Sequence, residues 1–283
     1  MRFLPKALLL AGAAGLTCSS LLAHAQSTPP APGPGPQPGT PAEPAAAPAP
    51  DNQFTGKVGL WTEYEYRGIS QSSQNPALQL NLDYVNNPSG LYVGTFLSNI
   101  KWLKDTASAN GFDTSARVEW DIYGGWRKEI VKDTTLDVGI LRYEYPGSGS
   151  FNPSPDTTEV YAGITWQWLN VKYSYSLDDT FGVQHSKGSD YLEANVAYPI
   201  PGFEKLTLTG TLAHQRYKGT QDSGFANGDL SYTVWKAGAS YDFGHGINAG
   251  AYYKGTDATS ALYTVNGKDW SRDRLVAFIT YSF

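Results

Sequence analysis

The last nine residues, Leu275 to Phe283, read Leu-Val-Ala-Phe-Ile-Thr-Tyr-Ser-Phe. Counting back by twos from Phe283 gives Tyr281, Ile279, Ala277 and Leu275, an apolar row, with Ser282 and Thr280 on the other face. Alternation of period two means an extended strand with one greasy side. Chain ends usually fray in water, so a soluble domain seldom stops on its most apolar strand. A transmembrane barrel has reason to do so, because its last strand closes the cylinder and faces lipid.

The amino-terminal end points the same way. Arg2 and Lys6 precede the apolar run Ala7 to Leu16, and Ala23-His24-Ala25 has the small-x-small form of a cleavage site. Residues 1–25 are expected to be a secretory signal peptide, too short in its apolar part to span a bilayer as a helix. Residues 26–52 form a leader of Pro, Ala and Gly; positions 27 to 50 hold ten of the eighteen prolines. Such a stretch cannot bury a core; it is either a disordered leader or an extended spacer. Cys18 is the only cysteine and falls within the signal, so the mature chain has no thiol for a disulfide, a metal or a nucleophile.

Residues 53–283 suffice for one large β domain. All 8 Trp and 19 Tyr lie beyond position 60, as suits rings placed at membrane interfaces. The formal charge of −5 and the lack of a basic stripe argue against a nucleic-acid partner. Twelve segments alternate: 54–67, 77–86, 90–100, 115–126, 135–145, 157–168, 171–178, 190–198, 205–217, 229–243, 247–255 and 273–283. The expected fold is an all-β, antiparallel up-and-down transmembrane barrel of about twelve strands with both ends periplasmic. Counted from that side, the inner turns are short and the outer loops long, with 127–134 and 69–75 as the exceptions. The even segments finish on Tyr84, Trp126, Trp166 with Trp168, Tyr198, Tyr241 with Phe243, and Tyr281 with Phe283. That set is expected to form a periplasmic aromatic girdle, with Tyr281 and Phe283 also serving as the assembly signal.

A run of motifs in order resembles the TorF-type porins, a proteobacterial outer-membrane family of uncharacterised function. It comprises Thr62-Glu63-Tyr64-Glu65-Tyr66-Arg67-Gly68-Ile69-Ser70-Gln71 with Asn75-Pro76-Ala77, then Gly90 to Thr95, Asp121 to Gly125, Tyr143 to Gly147 and Glu159 to Gly163. The resemblance covers the barrel from about residue 54 onward; it implies an outer-membrane pore, with the lipid bilayer and the assembly machinery as partners, and supplies no catalytic residue.

The inward row is expected to carry Glu63, Glu65, Arg67, Asp83, Arg117, Glu119, Asp121, Glu159, Lys172 and Glu193, joined by Arg142 and Glu144. Charges of both signs on neighbouring strands suit cross-strand pairing. Two readings stay open: a salt-bridged filling, or a constriction that passes ions or small polar solutes, with a slight acidic excess favouring cations. Glu63 and Glu65, about 6–7 Å apart along a strand, would more simply join an ion-paired cluster than act as a hydrolytic pair. His214, near the outer rim, is the one position for a lipid-modifying Ser–His pair, but no Gly-x-Ser-x-Gly motif accompanies it. No catalytic residue, metal or cofactor is expected. The alternatives to a channel are a structural or adhesive barrel with a closed lumen and a surface lipid enzyme.

Overall fold

A computed structural model describes residues 50–283. The expected signal peptide and nearly all of the expected leader, residues 1–49, lie outside the described residues. Twelve antiparallel strands close into a barrel. They are β1 Asn52–Trp61, β2 Ala77–Asn86, β3 Leu91–Asn99, β4 Val118–Val131, β5 Thr134–Glu144 and β6 Thr157–Trp166. Then follow β7 Leu169–Ser176, β8 Asp190–Ile200, β9 Phe203–Arg216, β10 Tyr232–Gly244, β11 Ile247–Thr256 and β12 Arg274–Ser282. Each strand pairs with its sequence neighbours, and β12 returns to β1 with Phe278 opposite Trp61 and Ser282 opposite Lys57. Phe283 finishes the seam: its N–H donates to Gly56 O at 2.9 Å, and its carbonyl accepts from Gly56 N at 2.8 Å.

Alternation sets the two faces of this wall. Phe54, Leu60, Leu78, Leu82, Val138, Ile140, Leu208, Leu212 and Leu275 stand exposed on the outside, while Glu119, Asp121, Leu141, Tyr143 and Val276 are buried inside. The strands come together tightly at their middles. A Cβ on Gly125 would lie 2.3 Å from Val138 O and 2.9 Å from Gly139 Cα, so that crossing of β4 and β5 accepts no side chain.

Asn52 pairs with Asn86 and Tyr281 with Ile247, so both ends of the barrel domain lie at the end that carries the tight turns. The expected long inner turn over 127–134 is instead a continuation of β4 to Val131, leaving Lys132 and Asp133 as the turn. Asp133 takes the left-handed φ of 60° that such a connection needs.

The opposite end differs more from expectation. β1 stops at Trp61, not Arg67, and the chain turns into the lumen. Every residue from Glu63 to Ser73 is buried, including Tyr64 and Tyr66, which the alternation had placed on the lipid face. Within this segment Glu65–Tyr66 pairs with Ile69–Ser70 around Arg67 (φ 46°) and Gly68 (φ 82°). Helix α1, Trp102–Ala109, caps the same end with Trp102, Leu103 and Ala107 buried. Rings of Tyr145, Phe151, Phe181, Tyr217, Tyr232, Tyr263 and Trp270 complete an apolar core inside the loop half of the barrel.

Replacing Gly125 by Val should cost about 1–3 kcal/mol or more, because the clash is with backbone. Gly210, whose Cβ would meet only Lys236 O at 3.7 Å, should accept Ala freely. Heat-modifiable mobility of the folded barrel on gels distinguishes the two variants.

Candidate lumen site and its plug

The tight-turn half of the barrel holds a cavity of about 1060 Å³. Thr55, Asp242, His245 and Ser282 stand at its mouth, and Glu65, Tyr66, Arg67, Tyr143 and Tyr191 form its roof. Its walls carry paired charges. Asp137 receives Arg127 at 2.8 Å and the Tyr92 hydroxyl at 2.5 Å, and Tyr92 is hydrogen-bonded onward to Tyr161. Lys172 pairs with Glu193 at 2.9 Å, which also accepts from Asn195 at 2.9 Å. Asp83 accepts from Tyr123 at 2.5 Å and Asn81 at 2.7 Å. Acids and bases are equal in this lining: Glu65, Asp83, Asp137, Glu193, Glu204 and Asp242 against Lys57, Arg67, Arg127, Lys172, Lys205 and Lys236. The expected acidic excess is therefore absent from the open half.

The surplus sits behind the roof. Glu119 and Asp121 on β4 are each 0% exposed and Glu159 on β6 is 1% exposed. The plug segment, residues 62–76, meets them with its own side chains. Tyr64 donates to Glu119 at 2.5 Å, and the hydroxyls of Tyr66 and Tyr143 lie 2.9 Å apart. Arg67 forks onto Glu159, Nη1 to Oε1 at 3.0 Å and Nη2 to Oε2 at 2.7 Å. On the far wall Glu65 is paired with Lys236 and accepts from Tyr252 at 3.0 Å, while Lys254 donates to Gly68 O at 2.8 Å. Glu63 lies 3.6 Å from Arg274. Glu63 and Glu65 thus take different cations, and neither is left as a free carboxylate pair.

Three expected lumen residues lie elsewhere. Arg142 and Glu144 continue the outward row of Val138 and Ile140, with Leu141 and Tyr143 buried between them. They reach past the apolar belt to the rim, where Arg142 meets Glu144 at 2.7 Å, Asp178 at 3.3 Å and Asp156 at 3.7 Å. Arg117 precedes the start of β4, is exposed, and donates to Thr114 O at 2.9 Å and Ala116 O at 2.8 Å.

The aromatic set lies on the outer face near the tight turns. Trp166, Trp168, Tyr198, Tyr241, Phe243, Tyr281 and Phe283 are all exposed there. Tyr84 packs on Phe54 with ring centroids 4.8 Å apart, and Trp126 donates to Ser89 O at 2.9 Å. His214 faces outward with Nδ1 3.3 Å from Thr233 Oγ1. On the loop surface His185 hydrogen-bonds Asp222 at 2.8 Å, which raises its imidazole above the ordinary value.

Residues 45–283 match a family described as "Bacterial protein of unknown function (Gcw_chp)". The chain belongs to this family. No curated protein matches the sequence. Among solved structures, the KdgM porin superposes with a TM-score of 0.50 at 9% identity, covering 81% of this chain and 99% of that one. The NanC porin gives 0.48 at 13% identity, covering 82% and 99%. The Acinetobacter baumannii outer membrane protein Omp33 gives 0.41 at 10%, covering 81% and 98%. The fold is that of a porin-like barrel.

Several residues that build this family member's lumen escaped the sequence reading: Lys236 and Lys254, which hold the plug, and Arg127 and Asp137, which line the cavity. Asp137 was legible, since it lies between the outward Leu136 and Val138. Lys254 follows Tyr252-Tyr253 and precedes Gly255, and Lys236 lies between Trp235 and Ala237-Gly238, where small residues blur the alternation.

Removing Glu159 by substitution with Ala would leave the Arg67 guanidinium buried without its counter-ion, at a cost of about 3–5 kcal/mol. Arg142→Ala, at the exposed rim, should cost under about 1 kcal/mol. Urea denaturation followed by tryptophan fluorescence would measure both.

Proposed function

We propose that this protein is an exported outer-membrane channel for ions or small polar solutes, in a closed state, with its tight turns and both barrel ends toward the periplasm. The observation that carries this reading is a cavity lined by balanced, paired charges and enclosed by a wall whose outer face is apolar. An apolar exterior band fits a bilayer, and a polar interior has use there as a path for solutes. The resemblance to TorF-type porins supports the same reading. Passage requires residues 62–76 to leave the lumen, since the roof residues are almost wholly inaccessible. The wall charges Asp83, Lys172 and Glu193 then border the path.

A second reading is a closed-lumen structural barrel, favoured by the aromatic core inside the loop half. Planar-bilayer recording separates the two. The wild type should show rare or small steps, and a barrel lacking residues 64–73 should show large, stable ones. A deleted barrel that inserts but stays silent would sink the channel reading in favour of the closed one.

The outward aromatics would form the periplasmic girdle, and the assembly machinery would engage β12. Deleting Phe283 removes two seam hydrogen bonds and a ring resting on Gly56, about 2–4 kcal/mol in all. The expected result is less membrane-inserted barrel, with unchanged conductance in the fraction that inserts. Wild-type insertion without Phe283 would contradict its role in assembly.

A further inference from the structure

The groups around Arg67 have the form of a ligand site. Nearly all of them belong to the barrel and its loops, whereas Arg67 arrives on the plug. Glu159 of β6 presents both carboxylate oxygens to the guanidinium fork, and Gln215 of β9 adds Oε1 at 2.8 Å from Nη1. The Tyr191 ring of β8 lies 4.2 Å from Cζ, the Tyr66 ring 4.7 Å, and Phe181 in the 177–189 loop 6.0 Å.

The acceptors are oriented without help from Arg67. Glu159 accepts from Tyr143 at 3.1 Å and Ser176 at 3.4 Å, and the Gln215 amide nitrogen donates to Asp190 O at 3.3 Å, which turns its oxygen toward the lumen. A two-oxygen fork flanked by rings suits a planar guanidinium better than an ammonium, which can sit over a ring but cannot place two parallel N–H groups on both oxygens.

Two further observations point to an exchangeable cation. Both oxygens of Asp121 are buried without a hydrogen-bond partner, and Asp121 is within electrostatic reach of Glu119 and Glu159. One guanidinium therefore serves an acidic wall richer than itself, and its Nε has no partner. Arg67, Tyr143 and Tyr191 also line the roof of the cavity, so a solute entering from the tight-turn mouth meets the near side of this place, with Glu159 and Gln215 behind it.

We infer that the barrel wall carries a binding site for guanidinium-bearing solutes, and that Arg67 occupies it as a tethered mimic when the plug is in. The proposal deepens the channel reading and rests on it for its physiological meaning. The binding test, however, is independent of conductance.

The full-length Arg67→Ala barrel in detergent is heated with guanidinium chloride or methylammonium chloride, each on the order of 10 mM, a range suited to a millimolar site. Guanidinium should raise the unfolding temperature of Arg67→Ala, with methylammonium giving little and the wild type no selective response because its site is filled. Adding Glu159→Gln should weaken the response about tenfold, since a charged fork partner is lost. Equal responses to the two cations, the same selective response in wild type, or a response untouched by Glu159→Gln would each overturn the proposal. Should Arg67→Ala fail to fold, recovery of heat-modifiable barrel on refolding with guanidinium would support the site, and no recovery would overturn it. Selective binding in a barrel that never conducts would refute the channel reading alone. Conductance without selective binding would refute the guanidinium site alone.

Discussion

An unpaired backbone amide or carbonyl facing hydrocarbon costs several kcal/mol, and a sheet avoids that cost only by having no edge. Everything in this fold follows from closing the ring. β12 must find β1, and the chain's last residue makes the final pair of hydrogen bonds, with Gly56. A ring of twelve strands then encloses more space than its own inward side chains fill, unlike the smallest barrels. The loops at one end supply the difference. Residues 62–76, helix α1 and the aromatic rings of the later loops enter the barrel and build an ordinary apolar core there.

That filling divides the interior into two electrostatic regimes. Near the tight turns, charges meet across neighbouring strands at partial exposure, where water still moderates them and each pair stabilises modestly. Behind the roof, Glu119, Asp121, Glu159 and Lys254 are fully buried. Burial makes each of them expensive unless something opposite is brought close. The plug provides it: Arg67 to Glu159, Tyr64 to Glu119, and Glu65 to the lysine side. The segment is held by charge pairing as well as by its buried Tyr64, Tyr66 and Ile69, and charge pairs can be exchanged for other ions in a way that packed rings cannot.

The wall was legible because period two survives along every strand that has one dry side and one wet side. The existence of all twelve strands follows from it, and β2 falls on its expected bounds. The plug defeated the same logic. Glu63-Tyr64-Glu65-Tyr66 alternates as well as any strand, yet both kinds of residue are buried, since alternation cannot tell lipid from a packed interior. The signals that could have corrected it were the Arg67-Gly68 pair, suited to a tight hairpin turn, and the polar run from Ser70 to Asn75, a poor lipid-facing strand. Arg142 and Glu144 failed for a different reason: they share the parity of the outward Val138 and Ile140, and their charge was read against that parity, although the outward face stops being apolar at the rim. Helix α1 was hidden in a stretch read as loop, although Trp102, Leu103, Thr106 and Ala107 share one helical face.

The plug also explains why the inward charges could not be sorted into filling and path from the sequence. The same residue type serves both purposes, and depth along the barrel decides between them. Lys172 with Glu193 lines open space, and Lys254, on a strand of the same wall, anchors a carbonyl of the plug. An acidic patch that looks like a selectivity feature when the strands are read alone turns out to be occupied by the chain's own arginine. On the channel reading proposed above, selectivity would rest on the competition between a tethered cation and a free one for the same wall. The tether gives Arg67 a high local concentration, so only a solute that reproduces the guanidinium's planarity and fork can compete with it.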